Sequence, residues 1–390
     1  PKDLINLTCR LCGEVPVIKE TEHFFLRLSA FEDELLKWVK HQKHWKPNVR
    51  NFTIGYLEGG LRDRAITRDI EWGVPVPLKG FEGKRIYVWF EAVIGYLSAS
   101  KEFSSNSGQI DKWKEFWIHE SKAYYFMGKD NIPFHTVIWP AMLSGFGGYN
   151  LPYDVPANEY LNLEGLKLST SRNWAVWLKD YLNNYEPDPL RYVIAASMPE
   201  TSDSDFSWKE YIRRNNDELV ATYGNLVHRV LTMVVRNYDS RIPTAGDLDT
   251  LSKELLLKAS KCLDATGKYI ETAQFRMALL ESMKLAHAAN AYLNVKSPWS
   301  SVKTDPVDAS LTLRTCLAII NCLKISMYPF LPFTSQKLHN MLGFQGDVTE
   351  CGWDWTGDEF IVNQHLNEVT PLFVKLDEEI LDKELKRLDN

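Results

Sequence analysis

The sequence predicts an α/β portion followed by an all-α portion. Three observations carry that expectation. Short apolar runs rich in β-branched and aromatic residues stand at 85–90, 123–127 and 155–161 and read as strands; helix starts follow the first two. Beyond Asp188-Pro189-Leu190 the character changes to helix almost to the end, with apolar residues recurring at spacings of three and four. Between the two lies Gly165-Leu166-Lys167-Leu168-Ser169-Thr170-Ser171-Arg172-Asn173, a polar loop with one lysine and three hydroxyls. Small residues let the backbone approach a polyanion, hydroxyls and N–H groups donate to phosphate oxygens, and the lysine adds a mobile charge. Such a loop suits a leaving pyrophosphate, although Lys-x-Ser-x-Ser also occurs by chance in surface loops.

Composition bounds the function classes. A chain of 390 residues is enough for roughly two or three domains. It is 45% hydrophobic and 25% charged, an ordinary soluble balance. The 13 tryptophans imply large buried or ligand-facing surfaces. With a net charge of −6 no global field attracts nucleic acid, so any RNA contact needs a local basic face. The six cysteines do not resemble a disulfide framework and fit reduced thiols in the cytoplasm. No run approaches the roughly 18 apolar residues of a membrane span, and no signal peptide is visible.

Taken in order, Cys9-Arg10-Leu11-Cys12-Gly13 is a Cys-x-x-Cys turn that can grip one side of a tetrahedral zinc. Zinc needs four ligands, so this reading requires two more before Pro1; an idle pair of reduced thiols is the plain alternative. Residues 22–28 read as a strand and 30–44 as a charged amphipathic helix with Leu35, Leu36 and Trp38 inward. Arg62, Arg64 and Arg68 lead into Trp72-Gly73-Val74-Pro75. Arg85-Ile86-Tyr87-Val88-Trp89-Phe90 reads as a buried strand, with a helix starting at Glu91-Ala92-Val93-Ile94-Gly95-Tyr96. Ligands of open α/β sheets sit beyond the carboxyl ends of strands, so Trp89 and Tyr96 could line an apolar slot. Ala123-Tyr124-Tyr125-Phe126-Met127 is a second strand, broken by Gly128-Lys129-Asp130. Asp130 at that edge could accept from ribose hydroxyls. Asn131-Ile132-Pro133-Phe134-His135 starts a helix that puts Trp139 on the face of His135.

The lysine loop leads into a helix-like 174–182. The best helix is 209–238, where Leu219, Tyr223, Leu226, Val230 and Val234 form a buried stripe. Asn225, Arg229 and Arg236 fall together away from it, a face suited to splayed RNA bases. Residues 251–294 hold two more helices. Lys296-Ser297-Pro298-Trp299 breaks the pattern, and Trp299 could stack on a base or plug the bundle end. An apolar helix pair at 310–343, interrupted by Pro329 and Pro332, and a charged helix at 377–388 complete the chain.

The ordered set of motifs resembles methionyl-tRNA synthetase, a class I aminoacyl-tRNA synthetase, over nearly the whole chain. The motifs are Tyr87 to Tyr96, Gly128-Lys129-Asp130 with Phe134-His135 and Trp139-Pro140-Ala141-Met142, Lys167-Leu168-Ser169-Thr170-Ser171, Asn225 to Arg229, and Pro298-Trp299. The resemblance implies an α/β nucleotide-binding (Rossmann-like) domain, of which only the second half is present, plus a C-terminal all-α helix bundle. It implies four regions. Residues 1–70 are the remainder of a connective, zinc-knuckle insertion, and 71–165 the second half of the catalytic domain. Residues 166–208 are the signature-loop and stem-contact region, and 209–390 the anticodon-binding domain with its tail. Trp89, Ala92, Val93, Tyr96, Asn131, His135 and Trp139 are implied to form the methionine pocket. Gly128, Asp130, Lys167, Leu168, Ser169 and Thr170 are implied to meet ATP, which acts with Mg2+ as a substrate. Lys167 and Arg68 are implied to be catalytic, Asn225, Arg229, Pro298 and Trp299 to read the anticodon of tRNA(Met), and Cys9 and Cys12 to bind Zn2+. No membrane partner is implied.

Three departures from the family stand out. Val93 and Asn131 replace the usual proline and isoleucine, and Thr170 replaces the second lysine of the signature loop. The family's His-x-Gly-His is absent, so the resemblance implies that an N-terminal half precedes Pro1 and that this chain alone is inactive. A non-catalytic tRNA-binding module derived from such an enzyme is the rival reading. A zinc or redox protein built on Cys9 and Cys12 is a distant third.

Overall fold

The structure is a computed structural model, and it describes residues 4–5, 8–9, 12–17, 19–244, 246–360 and 364–388. The chain divides into two compact units, Pro1–Ala157 and Asn158–Asn390.

The first unit is built on helices Glu32–His41 and Pro47–Glu58, which pack on each other. Glu32, Asp33 and Glu34 in the first turn and Lys40 and His41 in the last complement the helix dipole of the former. Pro47 opens the latter, where its missing N–H costs nothing. Leu35, Val39, Val49 and Leu57 join Val137, Trp139, Ala141 and Val155 in one core. The extended segments are very short. Phe25–Leu26 pairs antiparallel with Arg64–Ala65, and Thr67–Arg68 pairs antiparallel with Arg85–Ile86. Tyr124 bridges Asp154 in parallel, continued by Met127 N–H donating to the Pro156 carbonyl at 3.2 Å.

Two strand expectations are corrected here. The run 85–90 is extended only through Ile86. Phe90 and Glu91 N–H both turn back to the Tyr87 carbonyl, and Val88–Glu91 is helical. Nor is it buried: Trp89 is 57% exposed. Aromatic and β-branched residues favour strands only when a neighbouring strand accepts their ladder, and after Tyr87 N–H meets the Ile66 carbonyl that partner ends. The run 123–127 likewise contributes only a bridge at Tyr124 and the strand Met127–Gly128. The helix after Asn131 is present, but Phe134–Ile138 is a π-helical turn ahead of Trp139–Phe146.

The second unit opens with a hairpin. Leu161–Leu163 pairs antiparallel with Leu166–Lys167 and parallel with Ser204–Phe206. Its two-residue turn, Glu164-Gly165, has φ of +50° and +75°, the left-handed pair that matches strand twist. The helix-like 174–182 is helical only over Leu178–Leu182. The 209–238 segment is a continuous helix in three parts: Trp208–Arg214, a π-helical Asn215–Gly224, and Asn225–Asn237. The stripe Leu219, Tyr223, Leu226, Val230 and Val234 is fully buried, as its spacing requires. Helices Thr250–Glu271, Phe275–Lys296 and Pro306–Met327 pack against one another to form the bundle. Asp249 and Asp305 cap the first and third, accepting from Ser252 and Asp308 N–H. Pro332–Met341 and Glu379–Leu388 close it.

One compositional expectation also needs correcting. Pro306–Met327 is long and apolar enough, by length and composition, to cross a membrane. Its most apolar stretch is almost wholly buried among its neighbours, which is the position of a core helix.

Candidate functional site

In the first unit a cavity of about 380 Å3 opens beside the Val88–Glu91 turn. Arg68, Trp89 and the Asp130-Asn131 pair, from three separate segments, all line it. Phe134 and Ile138 complete its apolar wall. Arg68 is held at the rim by the Ala65 and Thr67 carbonyls, at 3.0 and 2.7 Å, and its guanidinium lies 4.0 Å over the Tyr87 ring. That contact leaves part of its hydrogen-bonding fork free to turn toward an anion. Gly128 is exposed at the end of its strand, and Asp130 is exposed in the turn that follows.

Tyr96, His135 and Trp139 come together in an aromatic cluster that also contains Tyr125. Their order follows from hydrogen bonding. His135 Nδ1 lies 3.0 Å from the Asn131 carbonyl, which can only accept, so Nδ1 carries the proton. Nε2 is then an acceptor and takes the Tyr96 hydroxyl at 2.9 Å. Trp139 Nε1 donates to the Tyr125 hydroxyl at 3.1 Å, and the Tyr125 ring stands 5.3 Å from Tyr96 and 5.6 Å from His135. Burial pushes the His135 pKa down, opposed by the Asn131 contact, so the ring is neutral at pH 7. Tyr96 remains half-exposed and also lines a second cavity, of about 400 Å3. Ala92 is exposed, whereas Val93 is packed in the core. Tyr125, Phe134 and Ile138 were not singled out as lining residues. The i, i+4 spacing of Phe134 and Ile138 is the sequence signal that could have found them.

In the second unit the lysine loop is tightly folded. Ser169 and Trp174 exchange N–H···O bonds of 3.0 and 2.9 Å, and Trp174 Nε1 ties the loop to the Leu163 carbonyl. Asn173 sits at φ +54°, a conformation asparagine tolerates. Lys167 is the last residue of the hairpin strand, exposed, with Nζ 5.5 Å above the Tyr160 ring. Leu168 and Thr170 are exposed, and the Ser169 and Ser171 hydroxyls lie 3.2 Å apart. One ammonium and a cluster of hydroxyls thus face solvent on a short rigid turn.

The helical face holds two of the three residues that its spacing grouped. Asn225 and Arg229, one turn apart, both look outward from Asn225–Asn237. The Arg229 guanidinium lies 4.8 Å over the Trp299 ring, and its Nη2 donates to Asn294 Oδ1 at 3.2 Å. Trp299 is 46% exposed on the short Pro298–Ser301 helix, while Pro298 is buried beneath it. The indole is therefore not a plug for the bundle end. Asn294 was missed, although it lies on the same break in the pattern. Arg236, the third, is exposed further along the helix.

The Cys9 turn is closed by Gly13 at φ +75°, with Gly13 N–H donating to the Cys9 carbonyl at 2.9 Å. Arg10 and Leu11 lie outside the described residues. Among the described residues no third or fourth side chain joins Cys9 and Cys12 in a metal-binding group. Two thiols do not make a four-ligand site, and Cys9 and Cys12 by themselves do not fit zinc.

Comparison with known proteins gives the family. The family model described as tRNA synthetases class I (M) matches residues 1–231, and that of the anticodon binding domain of methionyl tRNA ligase matches residues 242–384. The chain belongs to the class I methionyl-tRNA synthetases. It is 53% identical over 386 residues to a methionine–tRNA ligase of Dehalococcoides mccartyi, covering 99% of this chain and 69% of that one. It is 44% identical over 412 residues to that of Thermomicrobium roseum, covering 99% and 70%. The structure is similar, with a TM-score of 0.81 and 26% identity, to Mycobacterium tuberculosis methionyl-tRNA synthetase in complex with methionyl-adenylate. That match covers 94% of this chain and 71% of the other. The family is one of enzymes, with a Rossmann-like class I catalytic domain and a helical C-terminal domain.

Proposed function

We propose that this chain carries the methionine pocket, the phosphate-binding loop and the tRNA(Met)-selecting surface of an enzyme that activates methionine with ATP, and that it needs a further N-terminal segment for that activity. The observation that carries the reading is the Tyr96–His135 pair. A neutral imidazole is fixed by one carbonyl and one hydroxyl within a cage of Tyr125 and Trp139; Tyr96 and Tyr125 line one cavity, and Phe134, directly before His135, walls the largely apolar cavity of Trp89. Such an environment favours a flexible thioether, because sulfur makes favourable contacts with aromatic edges. Asn131 at the cavity wall and the neighbouring Ala92 and Val93 complete that pocket. Asp130, with Gly128 beside it, is the acceptor for the adenosine hydroxyls. In the first unit Arg68 is a donor suited to phosphate oxygens, and within the second unit Lys167, with Leu168, Ser169 and Thr170 supplying backbone and hydroxyl donors, is suited to the same chemistry. Mg2+ arrives with ATP as part of the substrate.

The reaction has two steps. The methionine carboxylate attacks the α-phosphorus in line and the bond to the bridging oxygen breaks, so pyrophosphate leaves. A hydroxyl of the terminal tRNA adenosine then attacks the carbonyl of the adenylate, and AMP leaves. The protein forms no covalent bond; it orients the groups and stabilises charge as it develops. With Thr170 in place of a second lysine, the loop's cationic contribution falls on Lys167. Asn225 and Arg229 supply donors for splayed bases, and Trp299 a stacking platform.

The proposal retains the four-region division, 1–70, 71–165, 166–208 and 209–390, and a reducing, cytoplasmic setting. It also includes a further N-terminal segment bearing the His-x-Gly-His. Support for that comes from the first unit itself, where Trp89, Ile94, Tyr124 and Phe126 leave apolar surface exposed around the cavities.

Methionine-dependent ATP–pyrophosphate exchange tests the reading, with this chain alone and with the segment supplied. Lys167→Ala separates it from a pure binding module. Exchange should fall by at least about a hundredfold, as for loss of a group that stabilises transition-state charge, with tRNA affinity unchanged. A fall in tRNA affinity with no effect on exchange would support the module instead.

A further inference from the structure

One cavity of the helical unit lies outside every group assigned above. It encloses about 270 Å3 between the segment that follows the lysine loop, helix Leu178–Leu182 and the last helix, Glu379–Leu388. Trp177, Tyr181 and Trp208 give it aromatic walls, and Glu384 and Arg387 line it from the last helix. The walls are well fixed. Tyr181 and Trp208 are each only 2% exposed, their rings are stacked with centroids 6.4 Å apart, and Tyr211 meets the Trp208 ring edge-on at 5.3 Å. One polar atom in this wall is unsatisfied. The Trp208 indole N–H is buried, and among the described residues nothing accepts from it. The neighbouring indoles are met: Trp174 Nε1 donates to the Leu163 carbonyl at 2.9 Å and Trp177 Nε1 to Asn173 Oδ1 at 2.8 Å. An indole nitrogen can only donate, and a buried donor without an acceptor is costly.

The complementary need stands on the last helix. Glu384 is 4% exposed. Its Oε1 accepts from the Tyr185 hydroxyl and from Arg387 Nη1, both at 2.7 Å. Among the described residues its Oε2 accepts from Arg387 Nη1 alone, at 2.9 Å, which leaves room for a second donor. The charged side chains lining the cavity are Asp180, Glu384 and Arg387. An anion would satisfy the indole but would meet two carboxylates, of which only one is paired with Arg387. A cation would suit the carboxylates but brings no acceptor for the indole. A neutral group that carries both an acceptor and a donor answers the indole and Glu384 together. A flat ring suits the aromatic walls.

We propose that this cavity is a binding site for a small, neutral aromatic amide. The amide oxygen accepts from Trp208 Nε1, displacing any water held there. An amide N–H donates to Glu384 Oε2, and the ring lies among Trp177, Tyr181 and Trp208. The site adjoins the lysine loop, because Trp177 holds Asn173, the left-handed residue at which the loop's turn ends. Nothing in it depends on what the lysine loop binds.

Benzamide, benzoate and benzamidine test this, since they share one shape and differ in charge and in hydrogen-bonding edge. Each is titrated into the whole chain at neutral pH and followed by tryptophan-selective NMR, with the Trp208 indole N–H identified through its ring contacts with Tyr181 and Tyr211. Benzamide should shift that signal and slow its exchange with solvent, saturating with a Kd on the order of 1 mM, the scale expected for so few non-hydrogen atoms. Benzoate and benzamidine should each bind at least about tenfold more weakly, because one buried partner is then left unpaired. In a folded Trp208→Phe chain, ligand-observed saturation transfer should show benzamide weakened by about tenfold and benzamidine unchanged. A Trp208 signal that benzamide leaves unmoved well above the expected Kd overturns the site without any variant. Equal binding of the three ligands, or tighter binding of either charged one, overturns the assignment of a neutral amide.

Discussion

Removing one oxygen from Tyr96 tests the arrangement of the candidate pocket. In Tyr96→Phe the His135 Nε2 loses its donor while the ring stays 94% buried, the complement of its 6% exposure. An orphaned buried acceptor costs about 1–3 kcal/mol. Tyr96 itself is 46% exposed beside a cavity, so water can reach the vacated position. The low end, about 1 kcal/mol, therefore applies, roughly a factor of five in the folding equilibrium. Urea unfolding should show a lower midpoint with an unchanged slope. The titration of His135 is the sharper readout. Burial lowers its pKa below the usual 6.5, and the hydroxyl donating to Nε2 supports the neutral ring. Below about pH 6.5 the unfolded chain takes up a proton that the folded ring refuses. Stability from this group is thus complete above that pH and is lost as pH falls through the folded value. Loss of the hydroxyl's donation to Nε2 should raise the folded value while the lowering by burial remains. Histidine-selective NMR, resolving His135 among nine histidines, checks this directly. A wild-type His135 that titrates at or above 6.5, or one indifferent to Tyr96→Phe, would refute the assigned tautomer and the neutral cage built on it. In exchange assays the same variant should raise KM for methionine several-fold with kcat nearly unchanged.

Other expectations follow from the helical unit. Trp299→Ala should weaken tRNA(Met) binding about thirtyfold, the middle of the range of about 1–3 kcal/mol for one base stack. Asn294→Ala, which only frees the Arg229 guanidinium, should weaken it less; filter binding at fixed salt separates the two. Gly343→Ala places a Cβ against the His365 carbonyl at φ +83° and should cost at least about 2 kcal/mol in thermal or urea unfolding. Lys296 bridges Asp249, at 2.8 Å, and Asp308. Burial pushes the Asp249 carboxyl up, but hydrogen bonds from Lys296 and Ser252 outweigh it and bring it down to about 2. Its contribution is present above about pH 4 and lost as pH falls toward 2. Lys296→Met should cost about 1 kcal/mol at pH 7, discounted for the partial exposure of both acids, and less at pH 3.

The sequence by itself determined the helical unit almost in full. The stripe from Leu219 to Val234 needs only one period and one apolar face to specify its burial. The same periodicity placed Asn225 and Arg229 on the outward face, because both follow from rotation about a single helix axis. The motif order was enough to identify the family. Helix register depends on local hydrogen bonds, and these are written in consecutive residues. The α/β unit was less legible. Val88-Trp89-Phe90 carries strand propensity yet turns helical, since a strand requires a partner that sequence-local reasoning cannot supply. Composition also missed that Pro306–Met327 reaches membrane-like apolarity, which its burial in the bundle explains. Only the tertiary structure decided which aromatics meet. Tyr125 joins Tyr96, His135 and Trp139 through hydroxyl and ring contacts between segments 10 to 40 residues apart. It alone placed Asn294 under Arg229, and Lys324 beside His339. Spacing fixes faces within one element, whereas contacts between elements depend on how those faces pack.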